Sequence, residues 1–189
     1  FQISVFAELN NPRQLAISES GIVYAGSRKA VNLYGVMDAN SDDYADKVII
    51  IDHDLTMPTG IAIRNGDLYV GAVNKLLIYR DIDQILKSSP EPFTLYEELL
   101  KETHHGWKYL GFSPEDNLFF NIGAPCNVCP EENPWFAPIM SLDLDREPPQ
   151  PELFARRLRN TVVFAWHTRT YALCFALTAR QLLRYSSTS

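Results

Sequence analysis

Short apolar runs alternate with polar turns along the chain, and one phrase returns four times. It occupies residues 13–26 first, then 59–71, then 109–120. A weaker copy joins residues 163–167 to 172–175. Each copy reads as a short apolar strand, a turn holding Gly, Asn, Asp or Pro, and a returning strand rich in β-branched and aromatic residues. Leu15, Ile61, Leu110 and Phe164 occupy equivalent positions, separated by 46, 49 and 54 residues. A period of about 40–50 residues with room for four strands is the mark of a β-propeller blade. The alternative is a sandwich whose hairpins merely look alike. The pattern predicts an all-β fold, a partial β-propeller of about three to four blades.

The intervening segments fit that period. Residues 47–52, 75–80 and 137–143 read as further strands, and residues 38–46 as an acidic loop between strands. Residues 81–87 predict one or two helical turns, with Asp81 as cap and Ile82, Ile85 and Leu86 on one face. Residues 126–135 read as a loop. Residues 147–152 carry Pro148, Pro149 and Pro151 and read as a stiff connector between blades. A propeller of three to four blades leaves two apolar faces and their strand edges in water unless further blades or a partner chain cover them.

Composition narrows the class. The 189 residues are 46% hydrophobic and 21% charged, with a formal net charge of −6. A nucleic-acid binder needs a basic surface to displace counterions, so that partner is not expected. No apolar run approaches the length of a membrane span; the longest, residues 161–166, is strand-sized. The sequence opens on Phe1 with no basic-then-apolar leader before the first repeat, which reads as a removed leader or a record starting inside a longer gene product.

The richest local chemistry is Thr103-His104-His105-Gly106-Trp107-Lys108-Tyr109-Leu110. His105 stands at the entry to a buried strand, where a ring is held rigidly and still faces a cleft; it is the candidate catalytic group. The alternative is a histidine hydrogen-bonded to its own loop. Trp107 and Trp135 are candidates to stack on a ligand, whereas Trp166 reads as blade core. Lys108 is either a carboxylate binder or a solvent-facing cation. Cys126 and Cys129 allow a local disulfide, loop thiols, a redox pair or half a zinc site. Asp38, Asp42, Asp43 and Asp46 miss the EF-hand spacing and read as solvated charge. No metal ligand set is assigned. No phosphate loop or dinucleotide fingerprint occurs.

Six phrases occur in one order: Asn11-Pro12-Arg13, Ala45-Asp46-Lys47-Val48, Pro58-Thr59-Gly60-Ile61-Ala62, His104-His105-Gly106-Trp107-Lys108, Gly123-Ala124-Pro125-Cys126-Asn127-Val128-Cys129 and Leu158-Arg159-Asn160-Thr161-Val162. Together they resemble the glucose/sorbosone dehydrogenase family, six-bladed quinoproteins that use pyrroloquinoline quinone (PQQ). The resemblance covers residues 1–167 and implies the N-terminal half of such a ring. It implies oxidation of a sugar hydroxyl or lactol by hydride transfer to the quinone, with His105 as base and Arg159 stabilising charge on the quinone oxygen. His104, Arg159 and Asn160 are the implied cofactor-binding residues. Ca2+ is implied too, with its ligands outside this chain. The resemblance also implies a periplasmic or extracellular location and leaves the electron acceptor open. Residues 168–189 depart from the family and read as an atypical tail, truncated or frame-shifted, and the chain alone is expected to be inactive. Two alternatives are a non-catalytic propeller used for binding and a calcium-dependent, lactonase-like hydrolase.

Overall fold

The protein is described by a computed structural model, which covers residues 3–88, 90–126 and 133–177. The fold is all-β, an arc of a propeller in which no sheet closes on itself. The first sheet is a meander of β1 (Pro12–Ile17), β2 (Val23–Ser27), β3 (Leu33–Met37) and β4 (Lys47–Asp52). The second holds β5 (Gly60–Arg64), β6 (Asp67–Gly71) and β7 (Leu76–Tyr79), then the helical turn α1 (Ile82–Ile85), then β8 (Phe93–Tyr96). The third holds β9 (Leu110–Phe112), β10 (Leu118–Asn121), β11 (Ile139–Leu142) and β12 (Pro151–Ala155). β13 (Thr161–Trp166) and β14 (Leu173–Leu177) form a two-stranded fourth sheet. All the pairings are antiparallel. The four repeated phrases are the first two strands of each sheet.

The period-two alternation of a strand assigns side chains to two separate cores. Along β7, Leu77 and Tyr79 point to the first sheet, where they meet Tyr24, Leu33 and Ile51. Leu76 and Ile78 point the other way, to Leu110, Leu118, Phe120 and Met140 of the third sheet. A smaller aromatic cluster joins the third sheet to the fourth. Phe164 of β13 meets Tyr109 edge-on at 5.0 Å, Trp166 meets Phe119 at 4.8 Å, and Phe164 and Trp166 meet each other at 5.7 Å. Edge-on contact sets the positive ring edge against the negative ring face.

Side-chain amides and hydroxyls tie the innermost strands together. Gln14 Oε1 accepts from the backbone N–H groups of Ile61 and Leu110, and Gln14 Nε2 donates to Leu110 O. One residue of β1 thus serves the start of β5 and of β9. Asn121 does the same one blade on: Oδ1 accepts from Tyr109 N at 2.6 Å, and Nδ2 donates to Thr161 O at 2.9 Å. Thr59 Oγ1 pairs with both the N–H and the C=O of Lys108.

Three expectations change. The proline-rich segment lies between β11 and β12 of one sheet, not between blades, and Pro151 opens β12. Proline is tolerated there because β12 is an edge strand with no further partner to donate to. Asp81 occupies the N-cap position with φ 47° and makes no side-chain cap bond. Its backbone N–H is instead received by Asp67. Leu15, aligned with buried Ile61, Leu110 and Phe164, is 58% exposed, because each of those residues faces the preceding sheet and no described sheet precedes β1.

Among the described residues no helix is long and apolar enough to cross a membrane. The fourth sheet extends to Leu177, and residues 178–189 lie outside the described part.

Candidate functional site

The inner strands begin at one end of the arc, and the histidine loop lies there. His105 sits just before β9 with φ 51°, in the left-handed region that side chains with a Cβ seldom adopt. Two contacts hold it there. Gly123, following β10, packs against its backbone and Cβ so closely that any side chain at 123 would collide with it. Its Nδ1 lies 3.1 Å from Ala124 O. A carbonyl only accepts, so Nδ1 carries the proton and donates, and the lone pair of the neutral ring is on Nε2.

Charge around the ring is one-sided. His104 meets His105 edge-on at 4.1 Å, and Trp107 does so at 5.2 Å. Burial holds the His105 pKa below its usual value of 6.5. The bond to Ala124 O opposes this, and the positive fields of His104, Arg159 and Arg28 add to it. Those cations come from different sheets: Arg28 follows β2, and Arg159 precedes β13. His105 is therefore neutral at pH 7 and able to accept a proton at Nε2.

Arg159 has φ 60°, and its carbonyl accepts from Ala124 N at 3.0 Å, so one short segment holds both His105 and Arg159 in place. Asn160, next to it, is 2% exposed, and its Oδ1 has no hydrogen-bond partner. An unpaired buried polar atom costs roughly 1–3 kcal/mol, which a ligand N–H would recover. All four residues singled out from the sequence (His104, His105, Arg159 and Asn160) thus stand at one end of the arc.

Lys108 does not face solvent. It is 2% exposed, its stem lies against Gly60 and Gly71, and Nζ donates to Gly106 O at 2.9 Å. Burial brings its pKa down from 10.5 to about 7. Trp135 stacks on Tyr96 at 6.3 Å, which is packing within the arc. Cys126 is disulfide-bonded and Cys174 is free; Cys129 lies outside the described residues. The acidic loop is organised by its own turn: Asp38 accepts from the N–H groups of Asn40, Ser41, Asp42 and Asp43. Among the described residues no group of three or more His, Cys, Asp or Glu stands close enough to hold a metal.

Sequence reasoning passed over Gln14, Arg28, Asn121 and the burial of Lys108. The one visible signal was a polar residue closing an apolar strand, as in Leu118-Phe119-Phe120-Asn121. Two cavities among the described residues bear on the site. The larger, about 370 Å³, lies at the other end of the inner strands, among Ser18, Arg64, Asp81 and Asp83. Asp83 is already engaged there by Ser20 and Tyr24. The smaller, about 210 Å³, lies at the histidine end, among Arg13, Gln14, Trp107 and Lys108. Trp107 in its wall meets the His105 ring edge-on at 5.2 Å.

No family model and no curated protein sequence matches the chain. Solved structures do. The PQQ domain of pyranose dehydrogenase from Coprinopsis cinerea superposes with a TM-score of 0.69 at 18% identity, over 84% of this chain and 41% of that one. The PQQ-bound aldose sugar dehydrogenase from Streptomyces coelicolor gives 0.67 at 15% identity, over 89% and 56%. A streptogramin B lyase gives 0.60 at 13% identity, over 94% and 51%. At these identities the likeness shows the propeller fold. The chain spans about half the length of these neighbours.

Proposed function

We propose that this chain carries the proton-accepting half of a PQQ-dependent sugar dehydrogenase site, one that oxidises a sugar hydroxyl or lactol. The observation behind it is the neutral His105, fixed through Nδ1 and set beside Arg159 and Asn160. Two solved neighbours, a pyranose dehydrogenase PQQ domain and a PQQ-bound aldose sugar dehydrogenase, support it. The streptogramin lyase on the same fold shows why the fold cannot stand as the argument.

The donor set fits PQQ, a planar quinone with three carboxylates and a ring N–H. Arg159 supplies a guanidinium for an anionic oxygen, and Asn160 Oδ1 is an acceptor in want of a donor. Bound PQQ would supply a carbonyl carbon that accepts hydride from the sugar carbon. His105 Nε2 takes the hydroxyl proton as that carbon–hydrogen bond breaks. Ala124 O steadies the imidazolium that results, since Nδ1–H still points at it. Arg159 favours the state in which negative charge has grown on the acceptor oxygen. Burial, with the guanidinium groups of Arg159 and Arg28, keeps His105 deprotonated beforehand. Ca2+ finds no ligand set among the described residues, and no step is assigned to it. A sugar oxidised outside the cytoplasm suits the resemblance, and a periplasmic or extracellular site belongs to the same proposal.

The 189 residues alone are not expected to turn over. The test is a fusion to the second half of the Streptomyces coelicolor enzyme, assayed by dye reduction with aldoses, PQQ and calcium. His105→Ala is expected to lower kcat at least 100-fold, and the acid limb of kcat/KM to fall below pH 6.5. An unchanged rate in that variant would remove His105 as the base. The hydrolase alternative needs carboxylates around a metal, and no observation among the described residues favours it.

A further inference from the structure

Arg28 and Arg13 lie over one indole. Their guanidinium carbons are 4.5 Å and 5.8 Å from the centroid of Trp107. Neither forms an ion pair among the described residues, where the arginine–carboxylate pairs are Arg80 with Asp67, Arg64 with Asp116 and Arg146 with Glu152. Two guanidinium groups over one ring repel each other, and the indole face offsets only part of that. Beneath them Trp107, 9% exposed, has a buried Nε1 with no hydrogen-bond partner. Lys108 Nζ uses one of its three donor positions, on Gly106 O. Arg13, Trp107 and Lys108 line the 210 Å³ cavity. In a chain with a net charge of −6, this corner is a concentration of donors without an acceptor.

We infer that Arg28, Arg13, Trp107 and Lys108 form a subsite for a carboxylate. A planar carboxylate takes two parallel N–H bonds from a guanidinium and a further one from an indole N–H, which matches this donor set. The carboxylate belongs either to a sugar acid such as a hexuronate or to one edge of a polycarboxylate quinone. The subsite stands on the charge arrangement; both named sources of the carboxylate rest on the proposed function.

Tryptophan fluorescence tests it, with Trp107→Phe identifying the responding ring. The probes are glucuronate, glucose and PQQ, each titrated into the intact chain and into Arg28→Gln and Arg13→Gln, with circular dichroism as the folding control. Expected is a Trp107 response to at least one carboxylate probe, at least ten-fold weaker in Arg28→Gln, with glucose at least ten-fold weaker than glucuronate where the sugar acid binds. Response to glucuronate without quinone assigns the sugar acid; response to PQQ alone assigns the cofactor edge. His105→Ala lowers the rate in the fusion, whereas the subsite is read in the chain through Arg28→Gln without turnover, so the two proposals fail separately. No response to either carboxylate, equal affinity for glucose and glucuronate, equal displacement by inorganic phosphate, or an Arg28→Gln affinity within two-fold overturns the subsite.

Discussion

The first and second sheets are built from the same phrase and end in different surroundings. Ile61, Leu68, Leu76, Leu77, Ile78 and Tyr79 of the second are all no more than 1% exposed. On the first sheet the two faces differ, and on the face away from the second sheet the two edge strands differ from the middle ones. Tyr24 and Ile51 pack on the second sheet, but Leu15, Ile17, Val48 and Ile50 on the opposite face are 44–67% exposed. Register puts these four on one face, since Leu15 pairs with Ala25, Ala25 with Tyr34 and Tyr34 with Ile50; Ala25 and Tyr34 of the middle strands are buried, so the exposure is at the edge strands β1 and β4. A strand pattern therefore states which residues want covering, and only the neighbouring blade covers them. Apolar patches of this kind mark surfaces made for contact.

Leu77→Ala and Ile78→Ala sharpen the contrast most. They open cavities in two different cores, and each is expected to cost about 2–5 kcal/mol in urea unfolding. If Ile50→Ala costs as much, the first sheet is covered in solution and the comparison breaks.

Gly123→Ala comes next. Its Cβ would meet His105 O and Cβ, and Gly123 is itself buried between the histidine loop and Arg159. About 1–3 kcal/mol of stability should go as that loop shifts. The displacement should weaken the proposed PQQ binding, read by equilibrium dialysis.

A latch crosses the covered junction. Asp83, beside β7 in α1, accepts 2.6 Å hydrogen bonds from Ser20 and Tyr24 of the first sheet. Tyr24→Phe is expected to cost about 1–2 kcal/mol. Burial alone would raise the Asp83 pKa, but the bonds from Ser20, Tyr24 and Ser18 bring it below its ordinary 3.8. A depressed carboxylate stabilises the fold above its unfolded value and loses that contribution as pH falls through the folded one. Acid unfolding of Asp83→Asn should lack the corresponding drop below about pH 3.8.

Lys108 gives a slope of the other kind. Its folded pKa of about 7 is below the ordinary 10.5, so between these values the unfolded chain binds more protons and stability rises with pH. Lys108→Met should flatten that rise between pH 7 and 9.5 in urea titrations. The smallest effect is expected at Leu15→Ser and Ile50→Thr: stability within about 0.5 kcal/mol, with less self-association by light scattering. A larger loss would mean that the bare face is occupied.

Much of this was legible in residue order. Strand alternation and Gly, Asn or Asp turns placed the four hairpins, because both act over a few residues. His105 was named from its local phrase, Arg159 and Asn160 only through the family resemblance, and all three stand at one end of the arc. The proline segment misled, since an edge strand with no outer neighbour admits Pro151 and no sequence pattern says which strand is the edge.

Amino-acid order by itself determined the period, the strands, and which side chains must be hidden. Only the tertiary structure decided which face remains bare, that Lys108 is buried, and that Arg28 from one sheet acts on a histidine held by another. Alternation is a property of neighbouring residues along one strand. Burial and electrostatic field are sums over chains brought together from far apart, and those sums exist only once the sheets are packed.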